Sequence, residues 1–428
     1  MKYKSTRGKQ TPVSLSFAMK TGLAGDGGLY IPEQFPTIDW KSLSKDMAYP
    51  EFAQVMLTPF FEGDELANKL NHICQNAFSF PVPVKQLDEN TAILELFHGP
   101  TLSFKDFGAR FLANSLSQVK TDKVITIIVA TSGDTGSAVA AAFHNQPNIR
   151  VVVMFPDGKI SKRQEKQITC WGDNVLAISV EGVFDDCQKL VKEAFTKSWW
   201  TERTHLNTSN SINIGRLLPQ MTYYAYTSWQ HYLKHGESAN YIVPTGNIGN
   251  VCAAFWAKKI GFPIGDIVLS QNANNTVGEY LAKGEYNPKD SIETLANAMD
   301  VGKPSNIERL FNMFPEFKVF KENIRAFTVS DEQISETIKS VYEQYNEEIC
   351  PHTATAFYAR QQLDDNKKYI CVATAHPAKF ESVIEPILAK EIPPTEQLQE
   401  LLDRAQYKVE IKADMESLCD TYAQYFKN

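Results

Sequence analysis

From residue 123 onward, short apolar runs rich in β-branched residues alternate with longer stretches of mixed polarity in this chain of 428 residues. The runs are KVITIIVA (123–130), IRVVVMF (149–155), NVLAISV (174–180), YIVP (241–244), DIVLSQ (266–271) and YICVATA (369–375). None shows the strict apolar–polar alternation of a strand with one wet face, so they predict strands buried on both faces. The first four are followed by segments that predict helices: 133–143, the polar SKRQEKQITC, 184–195 and 248–259. Strand, glycine-bearing turn, helix, repeated, predicts an α/β protein with parallel sheets flanked by helices.

The rhythm is different elsewhere. Residues 1–90 read as a mixed, mainly helical leading domain with a turn-rich GLAGDGGLYIPE. PVPVKQL (81–87) reads as a connector, because its two prolines forbid a regular helix. Residues 91–390 then form the α/β core, with a smaller subdomain at about 110–205 and an insertion at about 272–366. SDEQISETIKSVYEQY in that insertion predicts a capped helix. Residues 391–428 read as a charged, partly helical tail packing on the core.

Composition narrows the function. Hydrophobic residues make up 43% and charged residues 22%, as in ordinary globular proteins. Net charge is -7 with the signs mixed, so no basic stripe suggests nucleic acid as a partner. The seven cysteines are scattered and never form CxxC, which argues against a disulfide framework or a zinc ribbon. The eight histidines include no HExxH pair, and no metal site is expected. The polar N-terminus and the lack of a run of about 18 apolar residues predict no membrane association, and the expected compartment is the cytoplasm. A monomer and a homodimer are both compatible with the sequence.

Three segments carry chemistry. In HGPTLSFKDFGARF, Lys105 lies between Phe104 and Phe107. Apolar neighbours desolvate an ammonium, lower its pKa and make it a nucleophile suited to holding pyridoxal phosphate (PLP) as a Schiff base. In PTGNIGN, Gly246 and Gly249 allow a tight strand-to-helix turn whose free amides favour an anion, and Asn247 and Asn250 offer side-chain donors. Taken alone, this is equally an ordinary βα turn. In TSGDTGSA, Ser132 and Thr135 offer hydroxyls to a carboxylate or phosphate, and Asp134 alone reads as a helix N-cap.

In combination, these segments resemble the PLP enzymes of the tryptophan synthase β fold (fold type II), and more closely the threonine synthase family. STRG with GLAGDGGLYIP, ELFHGPTLSFKDFG, ATSGDTGSA, NTSNSINIGRLLPQ, PTGNIGN and ATAHPAKF occur in that family's order. The resemblance implies that Lys105 forms the Schiff base and that Gly246, Asn247, Ile248, Gly249 and Asn250 hold the cofactor phosphate. It implies that Asp134 faces the ring hydroxyl and that Thr374 bonds the pyridine nitrogen. Ser132 and Thr135 would bind the substrate carboxylate, and Arg216 its phosphate, with Asn213 and Lys159 assisting. Without the resemblance, Arg216 reads as a salt-bridge residue and Lys159 as a solvated charge. Ile248 stands where much of the family has an aromatic residue. His98 and His376 fall in matching motifs without an assigned role.

The implied reaction converts O-phospho-L-homoserine and water to L-threonine and phosphate, by γ-elimination and β-hydration. The alternatives are a serine or threonine dehydratase-like PLP lyase and a non-catalytic paralogue that binds a similar ligand.

Overall fold

The computed structural model describes residues 1–427. Its strands, in chain order, are β1 (Tyr3–Ser5), β2 (Tyr30–Pro32), β3 (Val84–Gln86), β4 (Thr91–Glu95), β5 (Ile125–Ala130), β6 (Ile149–Pro156) and β7 (Val175–Glu181). They continue with β8 (His205–Asn207), β9 (Ala239–Pro244), β10 (Ile264–Gln271), β11 (Arg325–Thr328), β12 (Tyr369–Ala373) and β13 (Val409–Lys412). β1 and β2 form an antiparallel ribbon. A six-stranded sheet runs β11-β10-β9-β12-β4-β3, parallel except for the edge strand β3. A five-stranded parallel sheet runs β13-β7-β6-β5-β8.

The continuous apolar runs are the buried parallel strands. Every residue of β5 is buried, as is every residue of β6 except Arg150. The capped helix of the insertion is present as Asp331–Tyr345. Ser330 Oγ accepts the Gln333 amide, and the Gln333 side chain accepts the Ser330 amide.

Two expectations are corrected. Residues 84–86 of the supposed connector are the antiparallel edge strand β3, which is exposed throughout and so carries no hydrophobic signal. The C-terminal segment is more than a tail: β13 pairs with β7 and extends the five-stranded sheet. The leading residues are mainly helical, as expected, and share the main core. Tyr49 and Phe52 pack on Tyr226 and Trp229 of the long helix Ile214–His235, and Tyr49 Oη lies 2.7 Å from Thr222 Oγ1.

This topology gathers the chemistry. The turns after β4, β5, β9 and β12 lead to Lys105, Asp134, the glycine loop and Thr374. β12 pairs with both β4 and β9, so three of those turns leave the same edge of one sheet. Ligand sites in open α/β sheets sit at these carboxyl ends of the strands.

Candidate active site

Lys105 opens the helix Lys105–Leu116. The turn before it is laced to the turn after β12: the Phe104 amide donates to the Thr374 carbonyl at 2.9 Å, and Ser103 bridges Ala375. Lys105 Nζ lies 3.9 Å from Asp134 Oδ2 and 5.9 Å from the centre of the Phe104 ring. Burial pushes the Lys105 amine down to about 8, against the pull of Asp134 and helped by the charges of Lys379 and Arg216. The Lys105 side chain is 13% exposed, with the Phe104 ring beside its amine, while Phe107 packs into the core against Phe80 and Tyr223.

Asp134 begins the helix Asp134–Phe143. Burial alone would raise its pKa, but the positive charges of Lys379 and Lys105 outweigh that and hold it well below the usual carboxylate range. Its Oδ1 accepts from Lys379 Nζ at 2.8 Å and from Gln164 Nε2 at 3.2 Å. Thr131 Oγ1 shapes the loop by accepting the amides of Gly133 and Gly136, both at 2.9 Å. Ser132 and Thr135 are half-buried, and among the described residues neither hydroxyl makes an internal hydrogen bond.

The glycine loop precedes the helix Gly249–Lys259, whose first amides have no partner within the helix. A Cβ on Gly246 would stand 2.7 Å from the Met299 Cα, so the close backbone approach requires glycine. Ile248 has a left-handed backbone (φ 67°), an unusual and strained conformation for a β-branched side chain. Its side chain is 2% exposed, so packing holds that conformation. Asn250 Oδ1 accepts the buried hydroxyls of Tyr223 at 2.5 Å and Tyr224 at 2.9 Å. Asn250 Nδ2 is buried without a partner. Asn247 departs from the expected donor role. Its Nδ2 donates to Ser211 Oγ and its Oδ1 accepts the Ser305 amide, both at 2.6 Å, so its amide is committed to the scaffold and only its backbone is left for a phosphate.

Arg216 is 2% exposed. Its Nη1 donates to the Ser209 carbonyl, while Nε is buried without a partner. Nε would lie 2.7 Å from a Cβ on Gly108, which places the guanidinium one helical turn from Lys105. Burial pushes its pKa down to about 10. Asn213 is corrected to a structural role. It is fully buried and caps the helix Ile214–His235 by accepting the Gly215 amide at 2.9 Å. Its Nδ2 is spent on the Met19 carbonyl at 2.9 Å and on Asn207 and Thr208 at 3.3 Å. Lys159 is exposed on the turn after β6, two residues before the cap of the helix that carries Gln164.

Two further residues belong to this cluster. Lys379 is fully buried and also donates to the Thr101 carbonyl at 2.7 Å. Its signal was the one used for Lys105, a lysine between apolar neighbours, here Ala378 and Phe380. His352 Nε2 accepts the Ala298 amide at 3.1 Å, which assigns the proton to Nδ1, a buried atom without a partner. Burial pushes the His352 pKa down to about 4, so the ring is neutral. His98 and His376 lie elsewhere. With Glu95, Glu347 and Gln397 they line a cavity of about 510 Å³ that does not include Lys105.

Comparison with known proteins agrees with this geometry. Residues 81–375 match the family described as "Pyridoxal-phosphate dependent enzyme". Residues 2–78 match "Threonine synthase N terminus" and residues 353–421 match "Threonine synthase, C-terminal". The chain belongs to the threonine synthase family. It is 40% identical over 394 residues to the threonine synthase of Haemophilus influenzae, covering 92% of this chain and 91% of that one. It is 37% identical over 424 residues to that of Escherichia coli K12, covering 98% of each. The PLP-bound threonine synthase of Brucella melitensis superposes with a TM-score of 0.94 at 31% identity, covering 100% of both chains. Membership assigns PLP as the cofactor, and the residues present fit it: a desolvated lysine, a helix N-terminus behind a close-packed glycine, and an orphaned Asn250 donor. Thr374, whose hydroxyl makes no internal bond among the described residues, stands at the end of β12.

Proposed function

We propose that this chain converts O-phospho-L-homoserine and water to L-threonine and phosphate, the last step of threonine biosynthesis, in the cytoplasm. The observation that carries this reading is a desolvated Lys105 amine flanked by two separate anion-binding features. These are the amides of the 246–250 loop and the buried Arg216 guanidinium.

Bound at Lys105, PLP supplies the electron sink for charge that develops at the substrate Cα and Cβ. The amides of residues 246–250 would hold the cofactor phosphate with Asn250 Nδ2 as a further donor, and Asp134 would help orient the ring through its hydroxyl. The Thr374 hydroxyl would serve as the partner of the ring nitrogen. As a neutral partner it leaves that nitrogen less protonated than a carboxylate would. Ser132 and Thr135 hold the substrate carboxylate through their free hydroxyls. Arg216 holds the substrate phosphate, with Nε supplying a donor that nothing in the fold uses. Lys159, at the exposed edge, draws the anionic substrate toward the site. Lys105 removes the Cα proton as a neutral amine; a Cβ proton must also leave before phosphate departs from Cγ, after which a proton is gained at Cγ, water adds its hydroxyl at Cβ and a proton returns to Cα.

The test is product analysis with purified enzyme, PLP and O-phospho-L-homoserine. Equal yields of phosphate and threonine are expected. Phosphate with 2-oxobutyrate would instead mark a dehydratase-like lyase, and absence of phosphate release would reject the substrate.

A further inference from the structure

Lys379 is the one fully buried lysine in the Lys105 cluster, and its surroundings argue against a purely structural role. A buried ion pair is a poor stability device, because desolvation of the two ions offsets most of their attraction. Yet this pair lies between the three elements that build the site. Lys379 follows β12, Asp134 starts the helix after β5, and Thr101 lies in the loop between β4 and Lys105. The Lys379 ammonium bonds both of the others, Asp134 Oδ1 at 2.8 Å and the Thr101 carbonyl at 2.7 Å. Its backbone is fixed in turn, since the Lys379 amide donates to the His376 carbonyl at 3.2 Å.

The two oxygens of Asp134 are therefore divided between two lysines. Oδ1 is in hydrogen-bond contact with Lys379, whereas Oδ2 stands 3.9 Å from Lys105 Nζ, beyond hydrogen-bond reach. We propose that Lys379 is a positioning residue that neutralises and fixes the Asp134 carboxylate, so that Lys105 keeps only a weak hold on its counter-ion and can release its proton. This rests on Lys105 being the cofactor lysine.

The other charged groups nearby do not take over that role. Asp106 is engaged by the Thr101 amide at 2.8 Å and the Thr101 hydroxyl at 2.7 Å. His352 and His376 are neutral, each pushed by burial down to about 4. Arg216 adds a second positive charge to the Lys105 environment, whereas the leading positive charges on Asp134 are Lys379 and then Lys105. Removing the Lys379 charge leaves Lys105 as the lysine against Asp134, with only the neutral Gln164 amide still bonded to Oδ1, so a proton on the Lys105 nitrogen is held more firmly.

The experiment is a pH titration of the visible absorption band of the cofactor-loaded enzyme, for wild type, Lys379→Met and Lys379→Gln. Lys379→Gln removes the charge and keeps a side-chain N–H donor, on an arm one atom shorter. Both variants are expected to raise the titration midpoint by about one pH unit or more, with the alkaline-rising limb of kcat moving the same way. A midpoint that stays put or falls in Lys379→Gln overturns the proposal, and that variant decides the matter if Lys379→Met does not fold. Lys105→Ala serves as the control. If the visible band survives in it, the assignment of Lys105 fails, and that failure is separate from any result with Lys379.

Discussion

Gly246→Ala tests whether the glycine loop holds the cofactor through its backbone. The added Cβ would stand 2.7 Å from the Met299 Cα and 3.2 Å from its carbonyl carbon and oxygen. That is about 0.7 Å short of ordinary contact, and the obstacle is main chain, which has no rotamer to give. The Met299 segment is itself pinned, since the Met299 amide donates to the Ala296 carbonyl at 2.9 Å and the neighbouring Ala298 amide to His352. The loop must therefore yield, and its amides lose their aim by a sizeable part of a hydrogen-bond length. Overpacking of this kind costs about 1–3 kcal/mol, which is a factor of about 5–150 in the dissociation constant of PLP. Equilibrium titration of cofactor-free enzyme with PLP, followed by absorbance, measures it directly. Gly236→Ala is the control: that glycine is left-handed (φ 72°) and caps a helix, and nothing lies within 4 Å of its added Cβ. It should lower thermal stability, by about 1–2 kcal/mol of backbone strain, and leave the PLP affinity unchanged. A Gly246→Ala enzyme that binds PLP within twofold of wild type would refute the backbone-cup argument.

Asn250→Ala deprives the buried hydroxyls of Tyr223 and Tyr224 of their shared acceptor, and should destabilise the cofactor-free protein by about 2–5 kcal/mol in chemical denaturation; a loss under about 0.5 kcal/mol would count against it. Arg216→Ala should lower kcat/KM for O-phospho-L-homoserine by about a hundredfold or more while the visible spectrum of the bound cofactor persists, and an unchanged kcat/KM would remove Arg216 from the substrate site. The Lys105 amine is pushed down to about 8 and acts as a base only when neutral. Below pH 8 its neutral fraction falls tenfold per unit, so kcat should rise toward pH 8 and level off above it; a flat profile from pH 6 to 8 would show that proton removal by Lys105 does not limit turnover.

The parts of the site legible in the sequence were those encoded within a few residues. Lys105 between its phenylalanines and the glycine-bearing turns at strand ends stood out locally, and only their shared order, matching the threonine synthase family, suggested their chemistry. The doubly buried strands also stood out, since their apolar runs need no partner to be recognised. What escaped depends on distant contacts. β3 is three exposed residues made a strand only by its ladder with β4, and β13 likewise by β7. Asn213 and Asn247 looked like ligand donors because their types suit that task. In the fold, Met19, Asn207, Ser211 and Ser305 consume those amides, and all four lie far away in sequence or on other elements. Lys379 was visible as a lysine among apolar residues, but its partner Asp134 lies 245 positions earlier, and only the fold brings them together.

The order of strands in the large sheet bears on how the molecule comes into being during translation. β12 is central, between β9 and β4, although it is the last of that sheet's strands to be synthesised. Before it emerges, β3–β4 and β9–β10–β11 are two separate fragments of sheet, each with an open edge where β12 belongs. Lys105 follows one fragment, and the proposed phosphate loop follows β9, the first strand of the other. The nascent chain thus carries both halves of the proposed cofactor site for more than a hundred residues without a sheet to join them. The strand that finally joins them delivers Thr374 in the next residue. Capacity to bind PLP should therefore switch on late and abruptly, when β12 inserts, and that waiting period with open edges is when the chain is most exposed to mispairing and most in need of chaperones.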